Sequence, residues 1–220
     1  VSHDLRAPLR HISGYNDIIL DMYSDGMDEE GKEFMKRINL SANRMNDMIE
    51  SFLWLSRANR QEMNRIELSL TSMAKDIIQE FKEFEPEREI KVSIADDLVC
   101  TGDNRLMRVL LENLLSNAWK YTKKEEHPSI KFFETEYKGR KVFCIQDNGA
   151  GFDPESSDKL FHAFERLHNE KIFDGMGIGL STVDKIIRRH GGRVMAEGKP
   201  GEGASFYFYV DSEIPEESTE

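Results

Sequence analysis

The chain has 220 residues, 39% of them hydrophobic and 32% charged, and a formal net charge of -11. That length holds two small domains, or one domain with a helical appendage, and the composition is that of a soluble globular protein. The negative charge argues against nucleic acid or an anionic membrane as the natural partner, and any nucleotide site must therefore supply its own local cations or a metal ion.

The longest apolar run is five residues, Phe206–Val210, against the roughly 20 needed to cross a bilayer. No stretch of these residues reads as a signal peptide. The chain lacks an initiator Met and enters its first motif at once, the pattern of a fragment of a longer protein. Cys100 and Cys144 sit in apolar stretches without metal-ligand spacing and read as buried, reduced thiols. The fragment is expected to be cytoplasmic, with no membrane contact of its own.

Residues 1–24 predict a helix in which Leu5, Ile12 and Ile19 recur every seventh residue, with Pro8, Tyr15 and Met22 as a companion row. Ser24-Asp25-Gly26 ends it. A second helix is expected from about Asp28 to Arg60, with Ile38, Met45 and Phe52 in one row and Met48 and Leu55 in another. Two helices cannot cover so long an apolar seam. A pair of hairpins forming a dimeric four-helix bundle is the economical solution, and packing against another domain is its rival. With Leu5 at position a, His3 takes f and faces solvent, while Asp4 takes g at the flank. Pro8 disfavours a straight helix by about 3 kcal/mol and suggests a kink beside His3.

Beyond Arg60 the pattern changes. A helix is predicted over 68–84, strands over Ile90–Ile94 and around Leu98–Thr101, and a helix from Asp103, as N-cap, to about Tyr121. Ile130–Glu136 and Lys141–Asp147 read as a hairpin around Lys138-Gly139. A glycine-rich stretch without regular structure occupies 148–178. A helix from Leu180 to Arg189 follows, closed by Gly191-Gly192, with His190 at its end, where a cation is favourable next to the dipole. Arg193–Glu197 and Ala204–Val210 form a last hairpin. The expected fold class is α+β: a helical hairpin at 1–64, then an α/β sandwich at 65–211 with a mixed, mainly antiparallel sheet and three helices on one face. An acidic tail at 212–220 is expected to be disordered.

Four clusters in the second part carry chemistry. Asn113 and Asn117 are four apart on one helical face, with Lys120 a turn further on and Tyr121 beside it. Two amides and an ammonium suit a magnesium triphosphate, since Mg²⁺ takes hard oxygen ligands; a merely solvated face is the alternative. Asp147-Asn148-Gly149-Ala150-Gly151 follows a strand, where a carboxylate can accept from an exocyclic amine and glycines let backbone approach a flat ligand. Phe161-His162-Ala163-Phe164-Glu165-Arg166 is equally readable as core. Gly175-Met176-Gly177-Ile178-Gly179-Leu180 opens a helix whose amides can cradle phosphate. These glycines alternate and lack a βαβ unit, so they do not form a dinucleotide fingerprint.

Together these clusters, preceded by Ser2-His3-Asp4-Leu5-Arg6-Ala7-Pro8-Leu9, resemble the transmitter region of a sensor histidine kinase over residues 1 to about 211. Ser2–Leu9 is similar to the family's H box, Asn113–Tyr121 to its N box, Asp147–Gly151 to its G1 box, Phe161–Arg166 to its F box and Gly175–Leu180 to its G2 box. The resemblance implies a dimerisation and phosphoacceptor hairpin followed by a Bergerat-type ATP-binding domain. It implies His3 as the phosphoryl acceptor from ATP, Asp4 as the group that orients its imidazole and takes the proton, and a receiver-domain aspartate as the next acceptor. By the same resemblance Asn117 ligates Mg²⁺ with Asn113 nearby, Lys120 meets phosphate, Tyr121 flanks the nucleotide, and Asp147 reads the adenine amine with Gly149 and Gly151 making room. Gly175, Gly177 and Gly179 form the phosphate-side hinge of the ATP lid, with Leu180 closing that nucleotide-binding box, and Arg166 and His168 are the phosphate contacts, a structural role being the alternative for His168.

Two features depart from the family pattern. Ala7 stands where many members carry Thr or Asn, which implies weak phosphatase activity. The lid region Glu165–Asp174 is short and resembles the Arg-Leu-His lids of phytochrome-like and hybrid kinases. The rival readings are a nucleotide-gated conformational ATPase, whose catalytic Glu is replaced here by Asn113, and a scaffold without turnover.

Overall fold

The computed structural model describes residues 2–35, 37–39, 41, 42, 45, 63–162 and 178–211. Backbone contacts divide the chain into two units, Val1–Gln61 and Glu62–Glu220.

In the first unit, helix α1 (Ser2–Tyr23) runs through Pro8 without interruption, and a 3-10 turn at Ser24–Gly26 follows. Residues 29–35, 37–39, 41, 42 and 45 are helical again. Asn39 donates from Nδ2 to Asp17 Oδ1 at 2.8 Å and so ties the two helical segments together. The rows expected to form the seam stay largely open in the single chain: Ile12 is 43% exposed, Tyr15 67% and Met22 69%. Among the described residues of this unit the buried positions are Leu9, Asn16 and Ala42, and Leu9 and Asn16 lie seven apart on the flank beside those rows. The cause is geometric, because two helices can cover only the flank that each turns towards the other. Asn16 is buried with no hydrogen-bond partner for its amide among the described residues.

The second unit starts with a strand that the periodicity did not predict, β1 (Arg65–Ser69), paired antiparallel with β3 (Val99–Asp103) in a small sheet of two strands. Helix α2 (Leu70–Phe84) is N-capped by Ser69, whose hydroxyl accepts from Ser72 N–H at 3.2 Å. It buries Leu70, Met73, Ala74, Ile77 and Ile78, the spacing of one helical face. Helix α3 (Asn104–Tyr121) begins at Asp103, whose Oδ1 accepts from Arg105 and Leu106 N–H at 3.1 and 3.2 Å. Its inner face holds Leu106, Met107, Leu110, Leu111, Leu114, Leu115, Ala118 and Trp119, each leucine contributing about 2 kcal/mol by leaving water.

The main sheet has the order β2-β4-β5-β7-β6, from β2 (Lys91–Ile94), β4 (Ser129–Tyr137), β5 (Arg140–Asp147), β6 (Arg193–Lys199) and β7 (Gly203–Tyr209). Only β2 pairs parallel, with β4; the other pairings are antiparallel. The β4–β5 turn has positive φ at both Lys138 and Gly139, which matches the twist of a tight hairpin. Alternate residues Ile130, Phe132, Phe143, Ile145, Phe206 and Phe208 are buried on one face, the side covered by α2, α3 and α4 (Gly179–Arg189). On the other face Cys144 is buried as well, between the register neighbours Phe133 and Tyr207. Tyr137 and Tyr207 stack there at 4.5 Å. Within the stretch expected to be irregular, Pro154–Phe161 forms a 3-10 segment capped by Asp153, whose side chain accepts from Glu155 N–H.

His190 corrects an expectation. It does sit at the helix end, but it is fully buried there and is not a cation. Its Nε2 accepts the Asp103 N–H at 3.1 Å and its Nδ1 donates to Ile186 O at 2.7 Å. A ring that accepts through one nitrogen and donates through the other is neutral. Burial lowers its pKa, partly offset by the bond to Ile186.

Candidate nucleotide site

Asp147 ends the central strand β5, between Ile130 of β4 and Ala204 of β7. Its carboxyl is only 5% exposed. Burial raises its pKa to about 6, while hydrogen bonds from the Gly149 and Ala204 backbones pull it partly back and the charge of Glu125 adds to the rise. One oxygen, Oδ1, accepts from Gly149 N–H at 2.9 Å. A buried carboxyl at a strand end is an acceptor in a place where an unmade hydrogen bond is costly.

The loop after Asp147 is stitched in place on three sides. Asn148 Oδ1 accepts from Ser129 N–H at 2.7 Å, and its Nδ2 donates to His127 O at 2.9 Å. Ala150 N–H donates to Tyr121 O at 3.2 Å, and Gly201 N–H donates to Ala150 O at 2.8 Å. The two glycines meet a demand from the protein itself. A Cβ on Gly149 would lie 2.5 Å from Tyr121 O, and one on Gly151, where φ is +61°, would overlap the Lys199 carbonyl. The clamping role of Asn148 escaped the sequence reading. An Asn after a strand signals a turn, but its partners His127 and Ser129 are some twenty residues away.

The C-terminal end of α3 brings up Lys120 and Tyr121. Lys120 Nζ lies 4.4 Å from the centre of the Tyr121 ring and donates to its hydroxyl at 3.2 Å. This end is fixed from below by Thr122, whose hydroxyl donates to Ala118 O at 2.8 Å. Arg88 reaches Trp119 O and Thr122 Oγ1 and stacks over the Trp119 ring at 4.7 Å. Neither Arg88 nor Thr122 carries a motif signal.

On the same helix Asn113 and Asn117 are half-buried. Asn113 Nδ2 donates to Val109 O at 2.7 Å, whereas the Asn117 amide has no hydrogen-bond partner among the described residues. Helix α4 packs against α3 and opens at Gly179, with Leu180 next in its first turn. No side chain caps the start of α4; Ser181 Oγ donates to Ile178 O at 2.8 Å instead. Arg166, His168, Gly175 and Gly177 lie outside the described residues. His3, Asp4 and Ala7 lie on the backbone of α1, and their side chains are outside the described set.

Among the described residues no three or more His, Cys, Asp or Glu gather as a metal site. The donor set that is present, an uncommitted amide at Asn117, an ammonium at Lys120 and a buried carboxyl at Asp147, fits a magnesium nucleotide whose own oxygens complete the metal shell.

This layout, a mixed sheet covered on one face by helices with a half-buried amide face and a buried strand-end carboxyl, is that of a nucleotide-binding α+β unit, and it follows a helical unit in sequence. Residues 102–214 match the family described as histidine kinase-, DNA gyrase B-, and HSP90-like ATPase, and residues 1–61 match the His Kinase A (phospho-acceptor) domain. The chain belongs to these families and is the transmitter region of a sensor histidine kinase. It is 33% identical to cyanobacterial phytochrome A of Nostoc sp. over 95% of its own length and 27% of that protein's. It is 28% identical to the adaptive-response sensory kinase SasA of Crocosphaera subtropica, over 94% of its length and 56% of that kinase's. The chain thus spans a quarter to just over half of these relatives. Among solved structures, full-length ShkA in complex with AMPPNP superposes with a TM-score of 0.69 at 22% identity, covering 95% of this chain and 44% of that one. The catalytic domain of histidine kinase ThkA gives 0.56 at 25% identity over 68% of this chain and 97% of its own. No helix among the described residues is long and apolar enough to cross a membrane.

Proposed function

We propose that the chain is an ATP-dependent protein-histidine kinase that phosphorylates its own His3 and passes the phosphoryl group to an aspartate of a response-regulator receiver domain. The buried carboxyl of Asp147 carries this reading. It stands at the edge of a stitched loop, with one oxygen held by Gly149, where an adenine amine would satisfy its remaining acceptor capacity. Asn117 would hold Mg²⁺ through its amide oxygen, with Asn113 on the same face. Lys120 and Arg166 would meet phosphate oxygens, Tyr121 would flank the nucleotide, and the segment Gly175, Gly177, Gly179 and Leu180 would present backbone amides to phosphate. The metal, when bound, neutralises developing charge on the polyphosphate.

At the other end of the reaction a ring nitrogen of His3 attacks the γ-phosphorus. The N–P bond forms as the bond to the ADP oxygen breaks, and the ring's other N–H, polarised by the Asp4 carboxylate, yields its proton there. The hairpin at 1–64 would dimerise, 65–211 would act as the catalytic domain, and 212–220 would be an acidic tail, all in the cytoplasm. The exposed apolar rows through Ile12, Tyr15, Ile38 and Met45 support a second copy as the dimer partner. The relatives named as sensory kinases support the two-component setting.

Incubation with γ-labelled Mg-ATP should place an acid-labile, base-stable label on the protein, and His3→Gln should abolish it while nucleotide binding persists. Labelling of His3→Gln at the parent rate, or release of free phosphate with no label on the parent, would overturn the reading.

A further inference from the structure

The two amides of α3 stand in different surroundings, and the difference assigns them different work. Asn113 Nδ2 is tied back to Val109 O in its own helix at 2.7 Å. That bond fixes which way the amide faces and leaves Oδ1 turned outward. What Oδ1 meets is the first residue of α4. A Cβ built on Gly179 would find Asn113 Oδ1 at 2.5 Å, Cγ at 3.5 Å and Cβ at 3.9 Å, its three nearest neighbours. Gly179 has no unusual φ that would call for glycine, so the approach of Asn113 is the reason a side chain is not accommodated there. Asn117, one turn further along, has no hydrogen-bond partner for its amide among the described residues.

We infer that Asn113 is a positioning residue that seats the start of α4 on α3, and does not act as a ligand of the metal. This rests on the nucleotide-site reading given above and refines it. The seat matters because α4 begins without a side-chain cap. Its first-turn amides have no side-chain cap among the described residues, and their height relative to Asn117 is set by the contact between Gly179 and Asn113. A metal ligand and a seat make opposite predictions about Mg²⁺. A ligand acts only when the metal is present, whereas a seat acts on the nucleotide whether or not the metal is there.

The test measures the affinity of the full chain for a non-hydrolysable ATP analogue, in Mg²⁺ and in EDTA, for the parent, Asn113→Ala, Gly179→Ala and the double variant, with thermal unfolding as the check on folding. Gly179→Ala should weaken binding by about tenfold or more, since an inserted methyl must displace a fixed amide. Asn113→Ala should weaken binding by a similar factor in both buffers. The double variant should bind no worse than Asn113→Ala, because the atom that the methyl strikes is gone. A loss in Asn113→Ala confined to the Mg²⁺ buffer, or losses that multiply in the double variant, would overturn the assignment. If Gly179→Ala does not fold, the comparison of the two buffers for Asn113→Ala still decides. A parent chain that binds no nucleotide in either buffer would instead sink the nucleotide-site reading itself.

Discussion

His190 Nε2 accepts the backbone N–H of Asp103 at 3.1 Å, which joins the C-terminal end of α4 to the N-cap of α3. The bond fixes the end of α4 opposite to Gly179, which lies against Asn113 in the middle of α3. Replacing the imidazole by an apolar side chain leaves a buried N–H without a partner. His190→Leu is expected to lower stability by about 1–3 kcal/mol, measured by urea unfolding at pH 7.5.

The same histidine sets a pH dependence. Its folded pKa lies below the ordinary value because the ring is buried. As the pH falls through about 6.5 the unfolded chain takes up a proton that the folded chain refuses, so the contribution to stability is present above that pH and declines below it. Melting temperatures from pH 7.5 to 5.5 should fall more steeply for the parent than for His190→Leu. Equal slopes would show that folding does not lower the pKa of the ring.

Asp147 behaves in the opposite sense. Its folded pKa is raised from 3.8 to about 6. The folded chain therefore holds a proton that the unfolded chain has released between those values. The resulting stabilisation is complete below about pH 4 and is lost as the pH rises through 6, a cost of about 3 kcal/mol once the carboxylate is charged. Asp147→Asn should raise the melting temperature of the nucleotide-free protein at pH 7.5 and weaken ATP binding by about tenfold or more. A variant that is both less stable and equally tight would contradict the placement of a charged carboxyl there.

The glycine loop makes a graded prediction. Gly149→Ala sets a methyl 2.5 Å from Tyr121 O, and Gly151→Ala adds a positive φ to an overlap with the Lys199 carbonyl. Both should destabilise the nucleotide-free unit, by about 2 kcal/mol or more, with Gly151→Ala the worse. Stability unchanged in either, with only ligand affinity altered, would mean that the glycines answer to the ligand rather than to the backbone they touch.

Tyr15 and Met22 lie seven apart on one row of α1 and are largely exposed in the single chain. Charges placed there, as in the double variant Tyr15→Glu, Met22→Glu, should shift a dimer to monomer in sedimentation equilibrium. A parent chain that is already monomeric at micromolar concentration would refute the proposed dimer. Independently, Ala7→Thr should increase dephosphorylation of a phosphorylated receiver domain, because the parent has no side-chain hydroxyl at that position to orient water. Equal rates would remove the significance given to Ala7.

The sequence by itself determined the family, the order of the elements and the identity of the candidate residues, because each of these is written in short-range spacing: seven-residue rows, strand alternation, N-caps, and five motifs in order. Asp103 as N-cap and the Lys138-Gly139 turn are local features of this kind, and the structure shows them in place. Tertiary structure decided what depends on neighbours distant in sequence. Strand β1 is defined by its ladder to β3, and the clamp made by Asn148 depends on β4. The neutrality of His190 depends on an amide 87 residues away. The difference between Asn113 and Asn117 appears only when α4 is laid against α3. Periodicity tells a residue which face it occupies, whereas the atom waiting on that face is supplied by another part of the chain.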